Sequence, residues 1–233
     1  MKLENVIYCG DNLIWLKKFP DSCIDLIYID PPFFSNKKYE IIFNDGEEIR
    51  SFEDRWRGGI NHYIEWMRDR IFEMHRILAD TGSFYLHCDW HAGHYLKVMC
   101  DEIFGYGNFR NEIVWCYTGP SRNKKDFPKK HDNIFRYAKG EDFTFNLDSI
   151  RKPYSESFLT RRESKEGSGK GIFIGEQPQG RDKYSKGKLY EDWWDNIPTG
   201  GQISRKELLG YPTQKPEALM ERIIKASSRR FSM

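Results

Sequence analysis

An almost unbroken apolar run, Ile24-Asp25-Leu26-Ile27-Tyr28-Ile29, stops on Asp30-Pro31-Pro32-Phe33. A short continuous apolar run of this kind predicts a strand buried on both faces in a largely parallel sheet. Its end then delivers Asp30 to the carboxyl edge, where open α/β sheets place their ligands. The surrounding pattern agrees. Asn5 to Cys9 reads as a short strand ending at Gly10-Asp11. A helical stretch with Leu13, Ile14, Leu16 and Phe19 follows and is broken by Pro20-Asp21-Ser22. After a polar loop from about residue 35 to 59, Ile60, Tyr63, Ile64, Met67, Ile71, Met74 and Leu78 recur at helical spacing, and Gly82 serves as a left-handed terminator. Ser83 to His87 reads as a strand, His91 to Phe104 as a helix ending at Gly105, and Phe109 to Tyr117 as a strand. Strand and helix in alternation predict a doubly wound α/β fold.

Between about residues 118 and 210 the periodicity is lost, apart from an apparent hairpin of Asn133 to Ala138 with Asp142 to Asn146. So long an irregular stretch is uncommon unless it is functional or disordered. Helical spacing resumes over Glu217 to Ser227, with Pro216 at the favoured first position. The chain's net charge is only +2, but residues 117–190 carry 17 Lys+Arg against 10 Asp+Glu, so +7 sits in that segment and −5 elsewhere. Together with its aromatic residues, the segment suits phosphate contacts and base stacking, or else it is a solvated lysine-rich loop.

The five cysteines, at 9, 23, 88, 100 and 116, form no Cys-x-x-Cys pair and read as buried free thiols in a reducing compartment. Met1-Lys2-Leu3-Glu4 opens no signal-peptide stretch, and no run of some eighteen apolar residues occurs, so a cytoplasmic location without membrane insertion is expected. His87, Cys88, Asp89, His91 and His94 are crowded, yet a strand-to-helix turn between Asp89 and His91 scatters their directions, and no metal site is expected. Glu65, Asp69 and Glu73, with Arg68, Arg70 and Arg76, read as a solvated helix face.

Asp30-Pro31-Pro32-Phe33 carries the chemistry. An exocyclic amine on a nucleobase is a poor nucleophile because its lone pair is delocalised into the ring. A carboxylate and a backbone carbonyl that both accept from that NH2 favour its pyramidal form and stabilise developing positive charge. Prolines supply carbonyls without amide donors and fix the turn, so Asp30 and the Pro31 carbonyl can converge on one amine, with Phe33 as a stacking surface for a base out of its duplex. The same tetrapeptide also reads as a strand-ending turn with a capping Asp.

Further segments accompany it. They are Gly10-Asp11-Asn12, Gly82 to Trp90, Asn108 to Trp115, Asp192-Trp193-Trp194-Asp195-Asn196-Ile197-Pro198, and Tyr211-Pro212-Thr213-Gln214-Lys215-Pro216. In this order they resemble the amino-methylating DNA methyltransferases of the circularly permuted β group, which act on adenine N6 or cytosine N4. The resemblance implies a Rossmann-like methyltransferase sheet with an irregular target-recognition insertion. Residues 1–117 would form the first part of the catalytic core, 118–210 the insertion and 211–233 the start of the cofactor-binding part. It implies Asp30, Pro31, Pro32 and Phe33 at the amine site. Asp11 would lie near the adenine of S-adenosylmethionine, unless it is a helix N-cap. Thr213, Gln214, Lys215 and Pro216 would lie at the cofactor's methionine end, where a lysine can meet a carboxylate. Arg122, Lys124, Lys125, Lys129 and Lys130 would contact the phosphates of double-stranded DNA. The Asp in first place favours adenine over cytosine.

The family's glycine-rich turn, which follows the Lys-Pro helix, has no counterpart before Met233. By the resemblance, the central cofactor-binding strand would be absent and the sheet incomplete. Weak or no cofactor binding by this chain alone, and either a homodimer or a complementing polypeptide, are expected, and a cognate restriction endonuclease is an implied partner. The rival readings are an inactive DNA-binding fragment of such a methylase and a methylase of another substrate.

Overall fold

The structure is a computed structural model of the chain and describes residues 5–35, 38–42, 49–53, 56, 58–121, 123–166, 185–199, 202–210 and 213–229. Its contacts divide into two compact units, Met1–Phe145 with Asp192–Met233, and Asn146–Glu191.

The first unit is built on a five-stranded mixed sheet. Its strands are β1 (Ile24–Ile29), β4 (Leu78–Cys88), β5 (Phe109–Cys116), β6 (His131–Ala138) and β7 (Trp193–Trp194), in the order β1-β4-β6-β5-β7. β1 runs parallel to β4, β6 is antiparallel to both β4 and β5, and β7 is parallel to β5. β1, β4 and β5 therefore end at one edge of the sheet, and β6 begins there. A separate antiparallel pair, β2 (Lys38–Ile42) and β3 (Ile49–Glu53), occupies part of the segment expected to be loop. The helices of this unit are α1 (Asn12–Leu16), α2 (Gly59–Ile77), α3 (Gly93–Phe104) and α5 (Glu217–Ser227).

Strand alternation sorts the core into two layers. Phe84 and Leu86 of β4, with Phe135 and Tyr137 of β6, face Tyr63, Met67 and Ile71 of α2 and Leu96 and Met99 of α3. On the other face Tyr85, Ile113, Trp115 and Ile134 meet Leu219 and Ile223 of α5. Fully buried side chains such as Leu86 and Leu219, both 0 % exposed, contribute on the order of 1.5–3 kcal/mol each to this packing. Helices on both faces of the sheet satisfy the α/β expectation.

Several local expectations are corrected. Asn5 to Cys9 joins no strand among the described residues; Ile7 is 96 % exposed, and Tyr8 packs on Trp15 and Phe19 instead. β1 packs on both core layers, through Ile27 and Ile29 on one and Leu26 and Tyr28 on the other, but it is only half-buried because, at the edge of the sheet among the described residues, it pairs with β4 alone. Asn133 to Ala138 forms no hairpin with Asp142 to Asn146. It runs as β6 between β4 and β5, while the Thr144 amide donates to the Thr81 carbonyl. The stretch read as irregular thus supplies two strands of the main sheet, and the second unit is confined to Asn146–Glu191. Pro216 caps α5 from outside, one residue before the helix begins.

Gly82 also departs from its expected role. α2 ends at Leu78 with extended backbone, and Gly82 has no positive φ. Space explains the glycine: a Cβ there would fall 2.7 Å from Leu78 Cδ1 and 2.9 Å from the Ala79 carbonyl oxygen. Leu78 is itself fully buried and has nowhere to move. Gly82→Ala is expected to cost about 1–3 kcal/mol by overpacking, read as a lowered denaturant midpoint with unchanged slope. Gly105, by contrast, ends α3 at φ +85°, as its sequence position suggests.

The second unit holds α4 (Glu156–Glu166). A backbone bridge between Lys152 and Lys188 closes its base, with N–O distances of 2.9 and 2.8 Å. Glu191 accepts from the ammonium groups of Lys152 and Lys188, which hold its carboxyl down to about 2.

Candidate functional site

Asp30 follows β1 and points to the α5 face of the sheet, as Tyr28 does two residues earlier. Lys215, just before α5, places its Nζ 2.6 Å from Asp30 Oδ2. The Tyr63 hydroxyl donates to the Pro32 carbonyl at 2.6 Å, so α2 holds the turn from the opposite side. Phe34 adopts φ +62°, a left-handed backbone that is strained for an aromatic residue and sharpens the turn after Phe33. The Phe33 ring lies 5.4 Å from His87 and 5.5 Å from Lys215 Nζ. The structure thereby brings Asp30, Pro31, Pro32, Phe33 and Lys215 together from opposite ends of the chain.

Beneath Asp30 lies a buried polar array that sequence reasoning missed. His87, at the end of β4, is 0 % exposed. Its Nδ1 is 2.7 Å from the Tyr28 hydroxyl and 3.7 Å from Asp30 Oδ1, and its Nε2 is 3.2 Å from Asp132 Oδ2 on β6. The Tyr117 hydroxyl donates to Asp132 Oδ1 at 3.2 Å. Burial, with the charges of Asp30 and Asp132 adding to it, pushes the Tyr28 phenol far above its ordinary value. Tyr117 is raised in the same sense, by burial first and then by Asp132. Strand parity was the available signal, since Ser83, Tyr85 and His87 share one face of β4.

A cavity of about 370 Å³ adjoins the turn, walled by Asn12, Asp30, Pro31, Trp66, Arg70 and Met74. Asp11 holds one of these walls, Arg70, and has two roles. Its Oδ1 accepts from the Leu13 amide at 2.9 Å as the N-cap of α1, and both its oxygens accept from Arg70 Nη2, at 2.8 and 3.0 Å. Arg70 is 6 % exposed, donates to Asn12 Oδ1 at 2.9 Å and lies 3.7 Å over the Trp66 ring. The solvated face expected of α2 is corrected here. Arg68 does reach Glu102 in half-exposed surroundings, but Arg70 is internal. Arg76 donates to the Leu16 and Phe19 carbonyls and to Glu73 and Asp21, fastening the N-terminal segment.

Of the Lys-Pro segment, Tyr211 and Pro212 lie outside the described residues. Gln214 spends its amide on its own loop, accepting from the Leu209 amide and donating to the Glu207 carbonyl, both at 2.8 Å. Thr213 is exposed beside it.

The loop of residues 117–130 joins β5 to β6 at the edge that carries Asp30. Lys124, Lys125 and Lys129 are exposed and Lys130 is half-exposed; Arg122 lies outside the described residues. Lys129 Nζ sits 4.5 Å over the Trp90 ring, and Lys130 Nζ is 3.4 Å from the Pro120 carbonyl. Asn123 Oδ1 accepts from the amides of Lys125 and Asp126, giving the tip a defined turn, and Phe127 stands 94 % exposed among the lysines.

Among the described residues no group of three His, Cys, Asp or Glu is placed to hold a metal ion. Asp89 and His91 pair with each other, with Oδ2 2.7 Å from Nδ1, and Cys88 is buried. All five cysteines are free, but only Cys88 and Cys100 are buried, and Cys9 is exposed. No helix among the described residues is long and apolar enough to cross a membrane.

Residues 24–231 match a family model described as DNA methylase of the N6/N4 type. The chain is 30 % identical over 221 residues to the DNA adenine methyltransferase YhdJ of Escherichia coli, covering 94 % of this chain and 66 % of that protein. It is 29 % identical over 233 residues to the type II methyltransferase M.BglII of Bacillus subtilis, covering 94 % of this chain and 55 % of that one. The chain thus spans between about half and two-thirds of the length of these curated relatives. Among solved structures, the PvuII DNA methyltransferase (cytosine-N4-specific) superposes with a TM-score of 0.58 at 12 % identity, over 95 % of this chain and 70 % of that one, a likeness of fold.

Proposed function

The chain belongs to the N6/N4 DNA methylase family, and from that premise we propose that it carries the amine site of a site-specific DNA methyltransferase. It acts on the exocyclic amine of a flipped base, adenine N6 in preference to cytosine N4, with S-adenosylmethionine as methyl donor. The carrying observation is the convergence of Asp30, the Pro31–Pro32 turn, Phe33 and Lys215 at one sheet edge, beside a cavity lined by Asn12, Trp66 and Arg70. Adenine is favoured by the Asp of the tetrapeptide and by the likeness to the Escherichia coli relative, a DNA adenine methyltransferase.

The residues around the cavity fit the cofactor. Trp66 offers a flat apolar wall and Asn12 an amide, while Asp11 holds the wall residue Arg70 in place. Of Thr213, Gln214, Lys215 and Pro216, assigned to the methionine end, Lys215 reaches Asp30 and can exchange the Asp30 carboxylate for that of the cofactor. When bound, S-adenosylmethionine supplies an electrophilic methyl group. The chain does the rest. Asp30 and the Pro31 carbonyl accept from the amine and turn its lone pair outward, and Phe33 holds the base plane by stacking.

Duplex DNA is the proposed partner, held at its phosphates by Lys124, Lys125, Lys129 and Lys130, with Arg122 in the same loop, while Asn146–Glu191 serves target recognition. Replacing Lys124 and Lys125 together with Ala is expected to lower the slope of log K against log salt by about 1.8, since each phosphate contact contributes about 0.9. Fluorescence anisotropy across a salt series reads this directly. An unchanged slope removes the two lysines from the interface.

The function is tested by incubating the chain with tritiated-methyl S-adenosylmethionine and duplex DNA, then digesting to nucleosides. Label in N6-methyladenine supports the reading, and label in N4-methylcytosine reverses the choice of base. DNA binding without methyl transfer favours the inactive DNA-binding reading, whose support is the intact basic loop.

A further inference from the structure

The reading of Asp30 as the amine's acceptor leaves one chemical requirement unassigned. Methylation at an exocyclic amine forms an N–C bond with the nitrogen lone pair and leaves that nitrogen positively charged. Neutral product then requires an N–H bond to break, its electron pair returning to nitrogen and its proton leaving the site. Asp30 Oδ2 is occupied by Lys215 at 2.6 Å, while Oδ1 faces inward, 3.7 Å from His87 Nδ1.

We propose that His87 and Asp132 form the outlet for this proton: Asp30 Oδ1 passes it to His87 Nδ1 while His87 Nε2 releases its own to Asp132 Oδ2, and Asp132 returns it to solvent. This rests on the amine-site reading above. His87 touches neither base nor cofactor and works through Asp30, so it is a positioning and relay residue.

The geometry prepares the ring for this use. Carboxylates only accept, so the contact of Nε2 with Asp132 at 3.2 Å requires a proton on Nε2, and in the neutral ring Nδ1 then keeps its lone pair. The Tyr28 hydroxyl donates to that lone pair at 2.7 Å and must swing aside for the relay to run. Because burial holds the phenol protonated, Tyr28 acts as a donor and does not compete for the proton. The ring is 0 % exposed, whereas the side chains of Asp30 and Asp132 are 26 % and 16 % exposed, so the histidine bridges two solvent-touching carboxylates. Every element packed on it contributes: Tyr28 and Asp30 from β1 and its end, Lys215 before α5, Asp132 from β6, and from β5 the Trp115 ring at 5.6 Å with Tyr117 behind Asp132. No other charged group is seen against the ring among the described residues.

The test is the pH profile of single-turnover methyl transfer to duplex DNA by the full chain, for wild type, His87→Gln and Asp132→Asn. The relay requires an unprotonated Nδ1, so the wild-type rate should fall on the acid side. His87→Gln, which keeps both hydrogen bonds and cannot titrate, should be at least about ten-fold slower at neutral pH and should lose that acid limb. Asp132→Asn keeps an oxygen for the Nε2–H bond but cannot take up the proton, so it should slow transfer to a similar extent and lose the acid limb as well. A structural role lowers the rate by the same factor at every pH; an unmoved limb in both variants therefore overturns the relay. Should His87→Gln fail to fold, Asp132→Asn alone decides. The 15N shifts of the His87 ring give a readout independent of turnover: a proton on Nε2 supports the relay and a proton on Nδ1 overturns it. A wild-type chain that transfers no methyl group overturns the amine-site reading together with the relay, whereas transfer with an unmoved limb overturns the relay alone.

Discussion

Asp30→Ala is expected to lower single-turnover methyl transfer by at least about 10²–10³-fold, the usual loss when a group aimed at developing charge is removed, and to leave duplex affinity within about two-fold because phosphate contacts dominate it. Two features of the site set this size. On the proposed reading the carboxylate meets the amine beside a Pro31 carbonyl that persists in the variant, so residual positioning survives but the negative charge opposite the reacting nitrogen does not. Deleting it also removes a negative charge 2.6 Å from the Lys215 ammonium, so the site is one charge more positive as the amine becomes cationic. Asp30→Asn is expected to fall between wild type and Ala, since it keeps an accepting oxygen and loses the charge. Stability should change little, because the Asp30 side chain is 26 % exposed and Lys215 can turn to water. DNA affinity is separable because the basic loop of residues 117–130 does not include Asp30. Turnover by Asp30→Ala above about one-tenth of wild type would remove Asp30 from the amine site, since a loss that small is below what such a group supplies.

The parts of the fold that were legible in the sequence are those where one period dominates. Ile60 to Leu78 and Glu217 to Ser227 repeat at helical spacing, and both are helices within a residue of their expected bounds. Ile24 to Ile29 was correctly a strand packed on both faces, but its apolar run overstated its burial, because composition carries no information on how many neighbours a strand has. β6 was misplaced for a related reason. His131–Ala138 buries Ile134 on one face and Phe135 and Tyr137 on the other, and its pairing with β4 and β5 is set by tertiary contacts, which outweighed the local turn signals that suggested a hairpin. Asp30-Pro31-Pro32-Phe33 and Lys215 were singled out by residue type, and the structure brings them to one sheet edge. The contact of His87 with Asp132 was not legible. One was crowded among residues that suggested a metal, the other stood in a segment read as irregular, and only the pairing of β4 with β6 puts them 3.2 Å apart.

Arg70 shows what α2 contributes beyond packing, and Asp11→Ala is expected to expose it at a cost of about 2–3 kcal/mol, below the 3–5 typical of a broken buried pair because the Asp11 side chain is 47 % exposed. Asp11 satisfies the Arg70 guanidinium with both oxygens and caps α1 at the Leu13 amide, so its removal loses a cap and strands a nearly buried charge on Asn12, the Trp66 carbonyl and the Trp66 ring. At this chain length the loss corresponds to a melting temperature lower by roughly 5–10 °C. The two residues are coupled, so Asp11→Ala with Arg70→Met should cost less than the sum of the single changes, and less than Asp11→Ala alone if the stranded charge is the main penalty. A double variant as unstable as the sum would mean that the cap and the packing of the arginine stem, and not the buried cation, account for the effect. Because Arg70 and Asn12 also wall the cavity beside Asp30, the same loss should loosen the junction of α1 and α2 there, and S-adenosylmethionine should then protect the variant against thermal unfolding less than it protects wild type.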